Sequence, residues 1–196
     1  MTRRPLFRRF DDGENRMKAN NPITDYLLHA SNFLPAIVFL FYGRLGPGEP
    51  GARWTHAFLI GGVLALVHGA WLMRRAQRNS IALGVDLFLV IGAVLAIVSP
   101  AGSRLWGEEL GPAAMLVCVL VVGIVHTAWS AGGFVDGTAA DQARVRSLSF
   151  VMLAVTAVAL AVSITMRHSP LWGGVVPLIA LVVVRGRLRR QLAHAH

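Results

Sequence analysis

Charge is scarce in this chain: Asp, Glu, Lys and Arg make up 15% of its 196 residues, against about a quarter in an average soluble domain. Cysteine is nearly absent. The single Cys118 excludes an internal disulfide, a Cys-rich zinc site and a c-type haem attachment, and it reads as a small packing residue. Lysine is also nearly missing, since eighteen of the nineteen basic residues are arginine, a pattern of codon bias rather than chemistry. No nucleophile–base pair and no phosphate-binding glycine loop stands out. Glu108 and Glu109, beside Gly111-Pro112, read as a solvated turn. Together these shortages exclude a secreted disulfide scaffold and a free-standing soluble enzyme.

What is present is apolar. Hydrophobic residues make up 55% of the chain and the mean hydropathy is +0.56. They gather in six blocks, at 26–43, 57–73, 81–99, 112–131, 148–166 and 171–184, most of them near the ~20 residues that span a bilayer as a helix. The expected fold is all-α: a polytopic membrane protein with a bundle of six transmembrane helices. Three parts follow: a basic cytoplasmic segment over 1–24, a membrane domain over 25–185 and a basic tail over 186–196.

The net charge of +9 could signal nucleic acid, so the placement of the charges decides. With the N-terminus inside, the inner segments carry Arg3, Arg4, Arg8, Arg9, Arg16, Lys18, Arg74, Arg75, Arg78, Arg144, Arg146, Arg185, Arg187, Arg189 and Arg190, and the outer loops Arg44, Arg53, Arg104 and Arg167. That asymmetry is the positive-inside pattern of a membrane protein with both termini cytoplasmic. Topology accounts for the basic excess. The expected partners are the lipid bilayer and its anionic headgroups, with other membrane proteins or further copies of the chain, and no nucleic acid. The segment 1–20 is basic, but Asp11, Asp12, Glu14 and Asn15 break it before any apolar core, so it reads as a leaflet-resting tail rather than a signal peptide.

Turn chemistry falls between the blocks. Asn21-Pro22 opens the first span, Gly46 to Gly51 forms the first outer loop, Ser80 is expected to cap span three, and Gly111-Pro112 opens span four. Thr138 to Asp141 matches a loose capping box ahead of span five, and Ser169-Pro170 starts a short span six that Arg185 and Arg187 lengthen by snorkelling. Pro35 and Pro177 are expected to kink spans one and six. Small residues at four-residue spacing, Gly61/Ala65/Gly69, Gly92/Ala96 and Ala157/Ala161/Thr165, predict close helix packing. Most aromatics fall near span ends, where interfacial belts sit. No internal repeat is evident by eye.

The informative residues are the ionisable ones inside the blocks: His29, His68, Asp86 and His126. Counting from the span centres at ~1.5 Å per residue places all four roughly 5–8 Å to the cytoplasmic side of the midplane. Asp86 is the one acidic residue in any predicted span, and an intramembrane carboxylate is costly unless paired, protonated or hydrated. A histidine is its expected partner, with Asn32 and Ser130 able to extend the polar layer. The leading reading is a structural clamp, with no cofactor. Three sharper readings stand beside it: a b-type haem between two histidines, a divalent metal on three histidines and the carboxylate, and a proton relay or substrate site in a small transporter. His56 and His168 read as solvated, and His194 and His196 as a frayed tail.

At span one, Phe33-Leu34-Pro35, Val38-Phe39 and Phe41-Tyr42 resemble the opening span of the bacterial intracellular septation protein A family. The order that follows is also similar: a second span ending in a basic turn (Trp71, Arg74, Arg75, Arg78), a third span, and an outer loop with Trp106 leading into the fourth. The family's lysines before the fourth span are not present in Arg104 to Glu109. The resemblance implies a multi-pass inner-membrane protein serving envelope integrity or division without catalytic residues. The alternative is a small transporter or a haem- or metal-binding redox protein built on the His/Asp layer.

Overall fold

Apolar runs bounded by Pro and Gly become helices, and nothing else regular forms among the described residues. The computed structural model describes residues 32–74, 79–136, 142–169 and 171–193. The helices are α1 (Leu34–Leu45), α2 (Pro50–Arg74), α3 (Ser80–Val98), α4 (Pro100–Arg104), α5 (Gly111–Trp129), α6 (Gln142–Thr165) and α7 (Val176–Ala193), with π turns at Leu105–Glu109 and Leu171–Val175. The short connections make sequential helices neighbours: α1 packs on α2, α2 on α3, α3 on α5, α5 on α6 and α6 on α7. One end of the bundle then holds Arg74 and the start of α3, the connection after α5, and the end of α7. Arg44, Arg53, Arg104 and Arg167 fall at the other end.

Among the described residues, five helical segments are long and apolar enough to cross a membrane: Gly51–Arg74, Ser80–Val98, Gly111–Trp129, Gln142–Thr165 and Leu171–Leu192. This corrects the expected six. The first expected span is represented by the 12 residues of α1, about 18 Å of helix against a hydrocarbon core of ~30 Å. Pro35 lies in the first turn of α1, so it starts the helix instead of kinking it; positions 26–31 of that block, with His29, lie outside the described residues. The short sixth block is the opposite case. Helix continues through the arginines to Ala193, with Leu188 and Leu192 buried. The basic turn 75–78, the capping box at Thr138–Asp141, the segment 1–24 and the terminal histidines also lie outside the described residues.

Two apolar clusters share α3. Phe39, Phe58, Phe88 and Leu89 knit α1, α2 and α3, and Leu116, Val119, Phe134, Met152 and Leu181 knit α5, α6 and α7 against the start of α3. Gly84 lets the backbones of α3 and α5 come close: a Cβ there would sit 2.5 Å from the Cα of Val119 on α5. The stripes in α2 and α3 are buried or half-buried as expected, but Ala157, Ala161 and Thr165 of α6 face outward. α6 instead buries Val145, Ser149, Met152, Thr156, Ala159 and Ser163. Alternating steps of four and three follow a 3.6-residue turn, whereas strict steps of four precess off the buried face.

The expected outer loop before span four is mostly helical. Leu105-Trp106-Gly107 forms part of one π turn and Leu171-Trp172-Gly173 part of the other, a three-residue echo too short to read as a repeat. Trp106 stacks on Phe88 with ring centroids 5.7 Å apart, and its Nε1–H donates to the Phe88 carbonyl at 3.2 Å. Pro177 is the second residue of α7, directly after the second π turn, so it marks the change of helix type and not a mid-helix kink.

Candidate functional site

Of the expected layer His29 lies outside the described residues, and His68, Asp86 and His126 fall into two separate polar sites at the same end of the bundle. In the first, His68 on α2 meets Asp86 on α3, with Nδ1 2.7 Å from Oδ2 and side chains 11% and 7% exposed. An intramembrane carboxylate requires such a partner. The His68 ring lies 5.9 Å from the Trp71 ring, one helical turn on. His68 Nε2 is buried and has no hydrogen-bond partner.

His126 does not join that pair. Its Nδ1 lies 2.7 Å from Ser80 Oγ and 3.8 Å from Asp136 Oδ1. Asp136 is the hub of this second site. Its carboxylate accepts from Arg185 Nη2 at 2.5 Å, from the Ser80 amide at 3.1 Å and from the Ser80 hydroxyl at 3.1 Å. A serine hydroxyl has one proton to give. The consistent arrangement is His126 Nδ1–H donating to Ser80 Oγ, and Ser80 O–H donating to Asp136. The Ser80 amide is in the first turn of α3, where a carboxylate also meets the positive end of the helix dipole.

The loop that delivers Asp136 folds back into the protein. Gly133, Phe134 and Val135 are buried, and the Phe134 amide donates to Ser149 Oγ at 3.0 Å. Gly133 has φ 58°, and a Cβ there would fall 2.2 Å from Ser149 Oγ, so only glycine fits this turn. Asp136 itself has φ 53°, a left-handed conformation that Asp and Asn adopt more readily than other side chains. Four elements therefore meet on one carboxylate: α3, α5, α7 and the loop from α5 to α6.

Several expectations need correction here. Ser80 is not the cap of α3. Asn79 is, its side chain accepting from the Ala82 amide at 3.4 Å, which frees Ser80 for the polar cluster. Arg185 turns inward to Asp136, its side chain 12% exposed, instead of reaching for headgroups. Ser130 caps the end of α5, its amide donating to the His126 carbonyl at 2.9 Å. Asp136, Arg185 and Ser80 were not among the expected site residues. The available signal was an acid behind buried-type residues in Gly132-Gly133-Phe134-Val135-Asp136, and one arginine set against the apolar run Val182-Val183-Val184.

The chemistry of both sites is that of ties between helices. Ser80 is fully buried, and its hydroxyl and amide are both committed to Asp136, which leaves no free nucleophile. Among the described residues, no group of three or more His, Cys, Asp or Glu is placed to hold a metal ion. Cys118 is buried in the core, and His56, His168, Glu108 and Glu109 are exposed. Compared with protein-family models, curated proteins and solved structures, the chain returns no match.

Proposed function

We propose that this is a non-catalytic multi-pass protein of the bacterial inner membrane, serving envelope integrity or division through contacts with lipid and other membrane proteins. The observation that supports this reading is the use made of the intramembrane polar groups. His68 is bonded to Asp86, and Ser80, His126, Asp136 and Arg185 are bonded in a second group, each across helices, as a structural clamp requires. The outward faces suit lipid: Val158, Ile164, Ile179 and Val183 are exposed. Exposed Arg146, Arg187 and Arg190 gather at the end of the bundle assigned to the cytoplasm, where anionic headgroups attract them.

The experiment is deletion of the gene in the source bacterium, with cell length, septum placement and detergent sensitivity scored. Filamentation or leakiness restored by the wild-type gene is the expected result. Normal division and an intact envelope, together with altered uptake or efflux of a solute, would replace this reading with a transporter.

A further inference from the structure

We propose that His68 Nε2 is a proton-binding position inside the bundle, which loads and unloads one proton between α2 and α3. The bond from Nδ1 to Asp86 Oδ2 at 2.7 Å fixes the ring and, with neutral imidazole, places the ring proton on Nδ1, so the lone pair is on Nε2. That lone pair is buried and has no donor facing it. With neutral His68 the pair carries one negative charge in apolar surroundings, and among the described residues no lysine or arginine forms an ion pair with Asp86.

Among the described residues, the other ionisable groups do not supply the missing charge. Tyr42 and Arg44 of α1, Arg53 and His56 of α2, and Arg104 and Glu108 after α3 lie at the opposite end of the bundle. On α5, Cys118 belongs to the cluster around Phe88 and His126 is bonded to Ser80. Arg74 ends α2 and is exposed, six residues or ~9 Å of helix beyond His68. A proton on Nε2 therefore provides the counter-charge, turning a hydrogen bond with net negative charge into a neutral ion pair. The Trp71 ring, 5.9 Å away, offers the aromatic face that favours an adjacent cation. Among the described groups His68 is distinctive in this respect: the carboxylate that holds His126 already has its cation in Arg185.

The inference is independent of the envelope role. It is tested on the full-length protein in lipid nanodiscs, with histidine rings labelled with ¹⁵N and spectra recorded from about pH 8 to pH 5. The expected result is one Nε2 signal passing reversibly from unprotonated to protonated, absent in His68→Gln, with proton affinity at least tenfold weaker in Asp86→Asn. If His68→Gln fails to fold, the wild-type signal is assigned through its ring-proton contact to Trp71. His68 Nε2 remaining unprotonated wherever the protein stays folded would overturn the proposal. So would a proton held by Asp86 as a carboxylic acid, or an affinity unchanged by Asp86→Asn.

Discussion

Asp136 and Arg185 offer the sharpest perturbation. The Arg185 side chain is 12% exposed and that of Asp136 8%, so removing either one strands a buried charge. Breaking such a pair costs about 3–5 kcal/mol, because the surviving ion keeps its desolvation penalty without its partner. Asp136→Ala adds the strain of an alanine at φ 53°, roughly 1–2 kcal/mol. Asp136→Asn avoids that strain and keeps a carbonyl for the Ser80 amide and hydroxyl, so it isolates the charge and should cost about 1.5–3 kcal/mol. Arg185→Met alone leaves an anion buried and should be at least as damaging as Asp136→Asn. The double variant Asp136→Asn/Arg185→Met removes both charges and should return to within about 1 kcal/mol of wild type. The assay is reversible unfolding in mixed micelles, followed by circular dichroism, with the four proteins forming a cycle. Single costs below about 1 kcal/mol, adding without coupling in the double, would refute the assignment of Asp136 as the hub.

Further outcomes follow from individual contacts. Asp86→Leu leaves the Nδ1 of His68 without its partner and should cost about 1–3 kcal/mol, while Asp86→Asn keeps a hydrogen bond and should stay within about 1 kcal/mol, both read by the same unfolding assay. Gly84→Ala drives a Cβ against the Val119 backbone and should cost about 1–3 kcal/mol; Gly186→Ala, with open space around its Cβ, should be neutral or stabilise α7 by up to about 1 kcal/mol. Trp106→Phe keeps an aromatic ring against Phe88 but loses the bond to its carbonyl, and should cost about 1 kcal/mol in the same unfolding assay. Reporter fusions after Arg104 should read outside, and fusions at Arg75 and after Gln191 inside; the reverse pattern would invert the charge-based orientation.

The long spans were legible because composition alone marks them: the blocks at 57–73, 81–99, 112–131 and 148–166 lie within, or nearly within, α2, α3, α5 and α6. Ends were harder to read. Ser80 and Asn79 are both good capping residues, and only the position of Asp136 decides which of them is drawn away. The depth count brought His68 and Asp86 to one level because helical rise is regular. It could not separate His126 from them, since depth says nothing about which way a side chain points around the helix. The second site was missed for a different reason. Asp136 sits on a loop that folds back among buried residues, and no periodicity encodes that return. Arg185 was read as snorkelling because a cation near a span end ordinarily finds headgroups, and only an anion within reach reverses the preference.

The central claim is that the intramembrane polar residues form two separate ties instead of one shared centre. Double-mutant cycles on unfolding free energy test it most directly, pairing His68→Ala with Asp86→Ala and, separately, His126→Ala with Asp86→Ala. A coupling of about 0.6 kcal/mol, the average of interhelical polar contacts in membranes, or more is expected for His68 with Asp86, and none beyond error for His126 with Asp86. Coupling of Asp86 to His126 as strong as to His68 would contradict the account and restore a single centre.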